Sequence, residues 1–453
     1  MKIVIIGCGT IGKTILHYLS TEDHSVTIVD QDGSKIEELI EKYDVMGVVG
    51  NGACLSIQEE AGIQTADLVI AVTSSDEINI LACLVAKKIG AEHTIARVRS
   101  PEYHDQSIKL RKELGLSMIV NPEQETAAEI RNIINLPSVA KIEHFAKGKV
   151  SLVELLIEEN NPLIGESLTS IGKKLNTKAL ICAIQRGEEV IIPNGKMKIK
   201  QGDRINFTAE ANTLGQFLAE LNLTKTPNKN IMIVGGGGIA YYLAKGLSER
   251  KHSIKLIEED KERAEELAQA LPKVNVINGD GTDHDVLLEE GIESMDAFVA
   301  LTNIDEENII ASMYASKFNI KKVVTKIKRE GLLGMIRDLG INNNISPKDV
   351  VSSKILSYVR ALENTQGSNV VALYKLVNDQ IEALEFIAKN EEDDIYERQI
   401  KDLEVRDNCL IACIIRDGKV IIPNGMDHIE LNDSVIVVTK HTDFDDLTDV
   451  FES

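Results

Sequence analysis

KIVIIGCGTIGKTI, residues 2–15, runs a β-branched strand into a glycine turn and then into the start of a helix. Gly7-Cys8-Gly9-Thr10-Ile11-Gly12 is the G-x-G-x-x-G pattern in the context it requires. The first glycine makes the turn, the second lets a pyrophosphate approach the backbone, and the third lets the helix pack on the strand. Free amides at the helix start, with the helix dipole behind them, attract phosphate. Asp30 stands at the tip of the next apolar run, VTIVD, where a carboxylate can accept both ribose hydroxyls and repel a 2′-phosphate.

The same phrase returns as NIMIVGGGGIAYYL, starting at Asn230. HSVTIVDQD is answered by HSIKLIEED, VMGVVGNGA by VNVINGDGT, and ADLVIAVTSSDEINI by MDAFVALTNIDEENI. VIIPNG occurs verbatim at 190–195 and 420–425. It carries no nucleophile, acid, base or ligand, and reads as a strand followed by a Pro-Asn-Gly turn. Partners lie near 228 to 230 residues apart, so the chain is a tandem duplication.

Each half divides again. Its first part alternates apolar runs with amphipathic stretches, the pattern of a parallel sheet with helices on both faces. The remainder reads as strands joined by tight turns, with one short helix near Ser167–Leu175. The predicted class is α/β: two Rossmann-like doubly wound domains, 1–138 and 226–366, each followed by a small α+β module, 139–225 and 367–453. TKTPNKN (224–230) and ENTQGSN (363–369) are the predicted connections. Ser34–Glu37 and Ser74–Glu77 read as capping boxes, and Gly90 and Gly115 as helix ends.

Composition narrows the function. The 453 residues carry a formal charge of −21, which argues against a nucleic-acid partner. No apolar run approaches the ~18 residues of a membrane helix, and the start is no signal peptide. Cys8, Cys54, Cys83, Cys182, Cys409 and Cys413 show no CxxC pairing. Alternation along CLIAC puts Cys409 and Cys413 on one face as buried thiols, and no histidine gathers with carboxylates at ligand spacing. No metal centre is expected.

The second glycine turn, Gly235-Gly236-Gly237-Gly238-Ile239-Ala240, has alanine in the third place and Glu258 at the acid position. A domain that keeps the fold without the ligand is the alternative there. Two further pairs recur at strand ends, where open α/β sheets bind ligands. Asn51-Gly52 answers Asp280-Gly281, preceded by Gly279, and Thr73-Ser74 answers Thr302-Asn303. Arg97 answers Lys326, each inside a β-branched run. A cation there needs an anion, which is either a phosphate or a carboxylate such as Asp30.

The order of glycine turn, Asp30, GNGA/GDGT, AVT/ALT, Arg97, VNPE (120–123) and a β-rich module with VIIPNG resembles the RCK (KTN) family, regulators of potassium conductance. Two such units in one chain resemble its tandem members, the peripheral subunits of bacterial Trk potassium uptake. That resemblance implies a cytoplasmic ring at the inner face of the membrane, a homotetramer under a TrkH- or TrkG-type potassium-transporting subunit. It implies NAD(H) or adenine nucleotides in the Rossmann-like lobes; because Arg97 offers a planar fork and Lys326 only a point charge, ATP or ADP is expected more in the second half. It carries binding roles to Gly7 through Gly12, Asp30, Thr73, Ser74 and Arg97, and to the 235–240 turn, Glu258, Asp280, Thr302 and Lys326. Ala240 and Lys326 depart from the family pattern. A regulator of another transporter built on the same unit is the neighbouring alternative. A dehydrogenase is the rival, but the small modules offer no His–Asp or Lys–Tyr pair to face a nicotinamide.

Overall fold

The computed structural model describes residues 1–453 except 21–23, 136–138, 146–148, 158, 160, 175–176, 188, 211–212, 221–228, 251, 319, 333–335, 337–338, 340, 342, 364–369, 377–379, 390–394, 397, 442–443, 445 and 453. The predicted connections at 224–230 and 363–369 lie largely outside the described residues.

β1 (Lys2–Ile6), β2 (Ser25–Asp30), β3 (Met46–Val49), β4 (Leu68–Ala71), β5 (His93–Arg97) and β6 (Met118–Val120) form a parallel sheet ordered β3-β2-β1-β4-β5-β6. Helices cover both faces, so β4 is buried along its whole length and reads as a continuous apolar run. β7 (Val139–Phe145), β8 (Val150–Leu156), β9 (Ala179–Arg186), β10 (Glu189–Ile191) and β11 (Arg204–Glu210) make an antiparallel sheet ordered β10-β9-β11-β8-β7.

The second half repeats both sheets. β12 (Asn230–Val234), β13 (Ser253–Glu258), β14 (Asn275–Asn278), β15 (Ala297–Ala300), β16 (Lys322–Lys326) and β17 (Asn343–Ile345) take the order β14-β13-β12-β15-β16-β17. β18 (Val370–Leu376), β19 (Ile381–Ile387), β20 (Cys409–Arg416), β21 (Lys419–Ile421) and β22 (Ser434–Thr439) take the order β18-β19-β22-β20-β21. The predicted fold class is observed. VIIPNG is a strand end and turn in both copies: Asn194 Oδ1 accepts from Lys196 N, and Asn424 Oδ1 from Met426 N.

Like modules associate with like. One compact unit holds Met1–Ile134 with Asn228–Leu356; the other holds Asn135–Pro227 with Ser357–Ser453. In the first, the helix Pro122–Asn135 sends Ile130 and Ile134 into a core with Leu243 and Leu247 of the second lobe. In the second, the antiparallel sheets share a core that includes Leu152, Cys182, Cys413 and Val438, and Thr208 Oγ1 donates to Ala412 O at 3.0 Å.

Four local expectations are corrected. Asp32, not Ser34, caps the helix Gly33–Lys42, its Oδ1 accepting from Ser34 N at 3.1 Å. Ser75, not Ser74, caps the helix Asp76–Ile89, accepting from Ile78 N at 3.2 Å. In each case the polar residue that leaves the extended backbone last takes the cap. Cys409 and Cys413 do not share a face, because a β-bulge shifts the register between Ile411 and Cys413. Cys409 packs against the local core and Cys413 in the core shared with β9. Gly90 does end the helix Asp76–Ile89, with φ +136°, whereas Gly115, φ +67°, lies in the turn beyond the helix Pro101–Lys109, which is capped at Leu110.

Candidate nucleotide site

The two sheet halves turn away from each other between β1 and β4, and the first glycine turn leaves β1 at that switch point. Gly7 has φ +102°, donates to Val29 O at 2.8 Å, and lies so close to β4 that a Cβ would stand 2.8 Å from Thr73 N. A Cβ at Gly12 would strike the Gly7 carbonyl. Gly9 faces open space, and the helix Thr10–Leu19 behind it has no side-chain cap. This is a cradle with free amides and a bare floor.

Asp30 braces the turn from β2. Its Oδ2 accepts from Cys8 N at 2.7 Å and its Oδ1 from Asp32 N at 3.0 Å. The Cys8 thiol is buried beneath it, and desolvation together with the Asp30 charge pushes its pKa up to about 12. Cys8 therefore contributes its backbone, not a reactive sulfur. Gly52 lets the β3 loop close on Ile6, and Asn51 Oδ1 holds Ala53 N at 3.0 Å.

The far wall is the end of β4 and β5. Arg97 Nη1 donates to Thr73 O at 2.9 Å and Arg99 Nη2 to Ser74 O at 2.9 Å. Among the described residues Arg97 forms no ion pair, with Asp30 or otherwise, and its Nε is buried with no partner. Burial depresses its pKa. The guanidinium is thus held by one carbonyl and forms no ion pair among the described residues, a good fit for an anionic ligand.

Two residues escape a reading of the sequence alone. Asn79 is fully buried and makes four bonds: its Oδ1 accepts from Thr73 N and Thr73 Oγ1, and its Nδ2 donates to Thr73 O and Arg97 O. Asp76 Oδ2 accepts from Arg99 N and Ser100 N at 2.9 and 2.7 Å. Together they lock the ends of β4 and β5. The second lobe repeats the device, Asn308 bonding Thr302 and Lys326 O, and Asp305 accepting from Lys328 N and Arg329 N. A signal exists: DEIN at 76–79 and DEEN at 305–308 keep the same spacing in both copies.

The second turn follows the same plan with differences. Gly235 has φ +92° and Gly237 faces open space. Glu258 Oε2 accepts from Gly236 N, and Oε1 from Asp260 N at 2.9 Å. Ala240 brings a methyl where the first turn has no room for one, so the second turn is not a copy of the first. Gly281 closes on Val234, Gly279 faces Val286, and Asp280 Oδ1 is occupied by Thr282 N and Oγ1. Lys326 Nζ donates to Leu301 O at 3.0 Å, and burial brings its pKa down to about 8.

Within this unit both turns open onto one cavity of about 670 Å³, a size suited to a small ligand. From the first lobe it is lined by Gly7, Gly9, Thr10, Ile11, Asp30, Asn51, Gly52, Thr73, Ser74 and Arg97. The second lobe adds Gly237, Gly238, Ile239, Ala240 and Lys326. Lys35, Arg99, Lys328 and Lys348 raise the cations to six against two carboxylates, Asp30 and Glu123. Cys8, Gly12, Gly235, Glu258, Gly279, Asp280 and Thr302, all anticipated as binding residues, are not among the lining groups. Asp283, His284 and Asp285 do gather three ligand atoms within 4.8 Å of one another, contrary to the expectation for histidine, but all are exposed. Among the described residues no helix is long and apolar enough to cross a membrane.

Residues 3–122 and 231–347 match the TrkA-N domain, and 152–235 and 389–452 the TrkA-C domain. The chain is 34% identical to the Trk system potassium uptake protein TrkA of Vibrio alginolyticus, over 96% of this chain and 95% of that protein. It is 33% identical to the protein of the same name from Haemophilus influenzae, with the same coverage. The GsuK channel bound to NAD superposes on 97% of this chain and 76% of its own with a TM-score of 0.63 at 18% identity, a likeness of fold.

Proposed function

Since the chain belongs to the TrkA family, we propose that it is a regulatory subunit of potassium uptake, whose Rossmann-like lobes bind NAD(H) or adenine nucleotides and so gate potassium flux through a TrkH- or TrkG-type membrane subunit. One observation carries the reading. A chain with a net charge of −21 gathers six cations and two glycine turns around a single cavity. Such a focus of positive potential in an acidic protein suits a phosphorylated ligand.

The residues divide the work by chemistry. Gly7, Gly9 and the amides at Thr10 would hold a pyrophosphate at the helix start. Asp30, already oriented by two backbone amides, would accept the ribose hydroxyls, and Arg97, which lines the cavity, would set its guanidinium charge toward the phosphates. Thr73, Ser74, Asn51 and Gly52 line the same crevice. In the second half, Gly237 to Ala240 and Lys326 are the corresponding groups, with Glu258, Gly279, Asp280 and Thr302 behind them. The lobe and module limits taken are 1–138, 139–225, 226–366 and 367–453. Among the described residues that line the cavity there is no histidine, tyrosine or cysteine to serve as a proton donor or nucleophile, which favours a sensor over an enzyme.

A ligand biases shape only through its differential affinity for two states. Moving a switch from 1:99 to 99:1 takes ~5.5 kcal/mol. Shared over one site per chain of a homotetramer, that is roughly 1.4 kcal/mol each, at the upper end of the range of a single hydrogen bond. Potassium or rubidium uptake into vesicles carrying the membrane partner, with and without this protein and each nucleotide, tests the reading. Uptake indifferent to the protein, or steady oxidation of NADH by it, defeats the proposal.

A further inference from the structure

VNPE at 120–123 aligns with ISPK at 345–348, so the residue after the repeated proline is Glu123 in one copy and Lys348 in the other. The fold brings both to the shared cavity. Glu123 begins the helix that crosses to the second lobe, and it reaches the second glycine turn so closely that a methyl on Gly238 would stand 2.9 Å from Glu123 Cγ. The helix Gly238–Ser248 has no side-chain cap, so this carboxylate lies at the positive end of a helix without bonding its amides. Glu123 Oε2 is buried and has no hydrogen-bond partner among the described residues. Its charge is felt by both Arg97 and Lys326. Gly9 and its counterpart Gly237 both have nothing within 4 Å, so the turns differ at the residue that follows: Gly238 lies against Glu123, whereas its counterpart Thr10 lines the cavity with Lys348, the residue that replaces Glu123 in the second copy.

We infer that Glu123, reaching in from the first lobe, excludes phosphate from the second glycine turn, and that the exchange of glutamate for lysine at 348 directs a nucleotide's phosphates to the first turn. The inference rests on the nucleotide reading of the cavity and adds to it which turn is served and why. A phosphate placed at Gly238 would meet a second negative charge in a partly dry site, where such repulsion is screened least. At the first turn the same phosphate would meet an ammonium group.

The test uses the full chain with ADP and its 8-azido analogue, in EDTA so that no cation can bridge carboxylate and phosphate. Calorimetry counts the sites, and photolabelling followed by peptide mapping locates them. Wild type is expected to bind one ADP per chain, labelled within residues 1–134. Glu123→Gln, nearly isosteric, is expected to raise second-lobe affinity at least tenfold and bring the count to two. The charge exchange Glu123→Lys with Lys348→Glu should move the label to residues 228–356. Two equal sites in wild type, or a second-lobe affinity unmoved by Glu123→Gln, overturns the inference while leaving nucleotide binding intact. Absence of label from both lobes in every variant overturns it together with the reading beneath it.

Discussion

Lys326→Met isolates the energetic burden of the cavity. Lys326 is 5% exposed, and its Nζ has a carbonyl, Leu301 O, for a partner. Burial lowers its pKa from 10.5 to about 8. Holding the charged form in the folded state therefore costs about 3 kcal/mol, since one unit is worth ~1.4 kcal/mol. Methionine keeps the apolar stem, removes the charge, and strips Leu301 O of its donor at about 1 kcal/mol. The variant should be more stable than wild type by about 2 kcal/mol at pH 7. The sign then follows from linkage. Below pH 8 both folded and unfolded lysine are charged and the penalty is complete. Between pH 8 and 10.5 the unfolded state binds the extra proton, so wild type gains stability as pH rises. The advantage of the methionine variant should vanish and reverse by about 1 kcal/mol near pH 10.5. Urea unfolding of both proteins at pH 7, 9 and 10.5 measures it. A difference that stays constant across that range refutes the assignment. Nucleotide in the cavity should pull the pKa back up, so binding above pH 8 should take up protons, visible as a heat that depends on the buffer's ionisation enthalpy.

Asn79→Leu removes four hydrogen bonds from a fully buried position and should destabilise the first lobe by about 3 kcal/mol; amide exchange at Thr73 should accelerate before the rest of β4. Gly12→Ala would drive a methyl into the Gly7 carbonyl and should abolish nucleotide labelling of the first lobe while leaving the second lobe's exchange pattern unchanged. Asp30 should make NADH bind far better than NADPH, two charges ~4 Å apart at an effective dielectric of ~20 repelling by about 4 kcal/mol; equal calorimetric affinities remove the ribose role. Asp30→Ala should blunt the nucleotide response of uptake with ring assembly, judged by light scattering, preserved.

What can be read from the chain is whatever is encoded locally. The glycine turn, its strand and helix, Asp30 and the alternation of apolar runs each lie within a few residues of their consequence, and the internal repeat ties them to a topology. Cys409 and Cys413 mislead because alternation assumes an unbroken pleat, and nothing in CLIAC announces a bulge. Asn79 and Asp76 stay hidden because their partners lie 6 to 24 residues away, on the next two strand ends. Glu123 stands in a motif whose sequence assigns it no role. Its effect depends on a glycine 115 residues further along the chain, in another lobe, and no periodicity carries information over that distance.

The pairing of like modules, residues 1–134 with 228–356, puts two copies of one fold in a single compact unit, a pairing that two identical one-lobe chains could make only as a symmetric dimer about an axis. In such a dimer every substitution is made twice, once on each side of the axis, so both pockets must carry the same charge. Joining the two copies in one polypeptide lifts that restriction. The pairing no longer weakens on dilution, because its partners are tethered. More consequentially, one pocket can be altered while its twin is kept. Glu123 and Lys348 are a difference that a symmetric dimer has no means to encode.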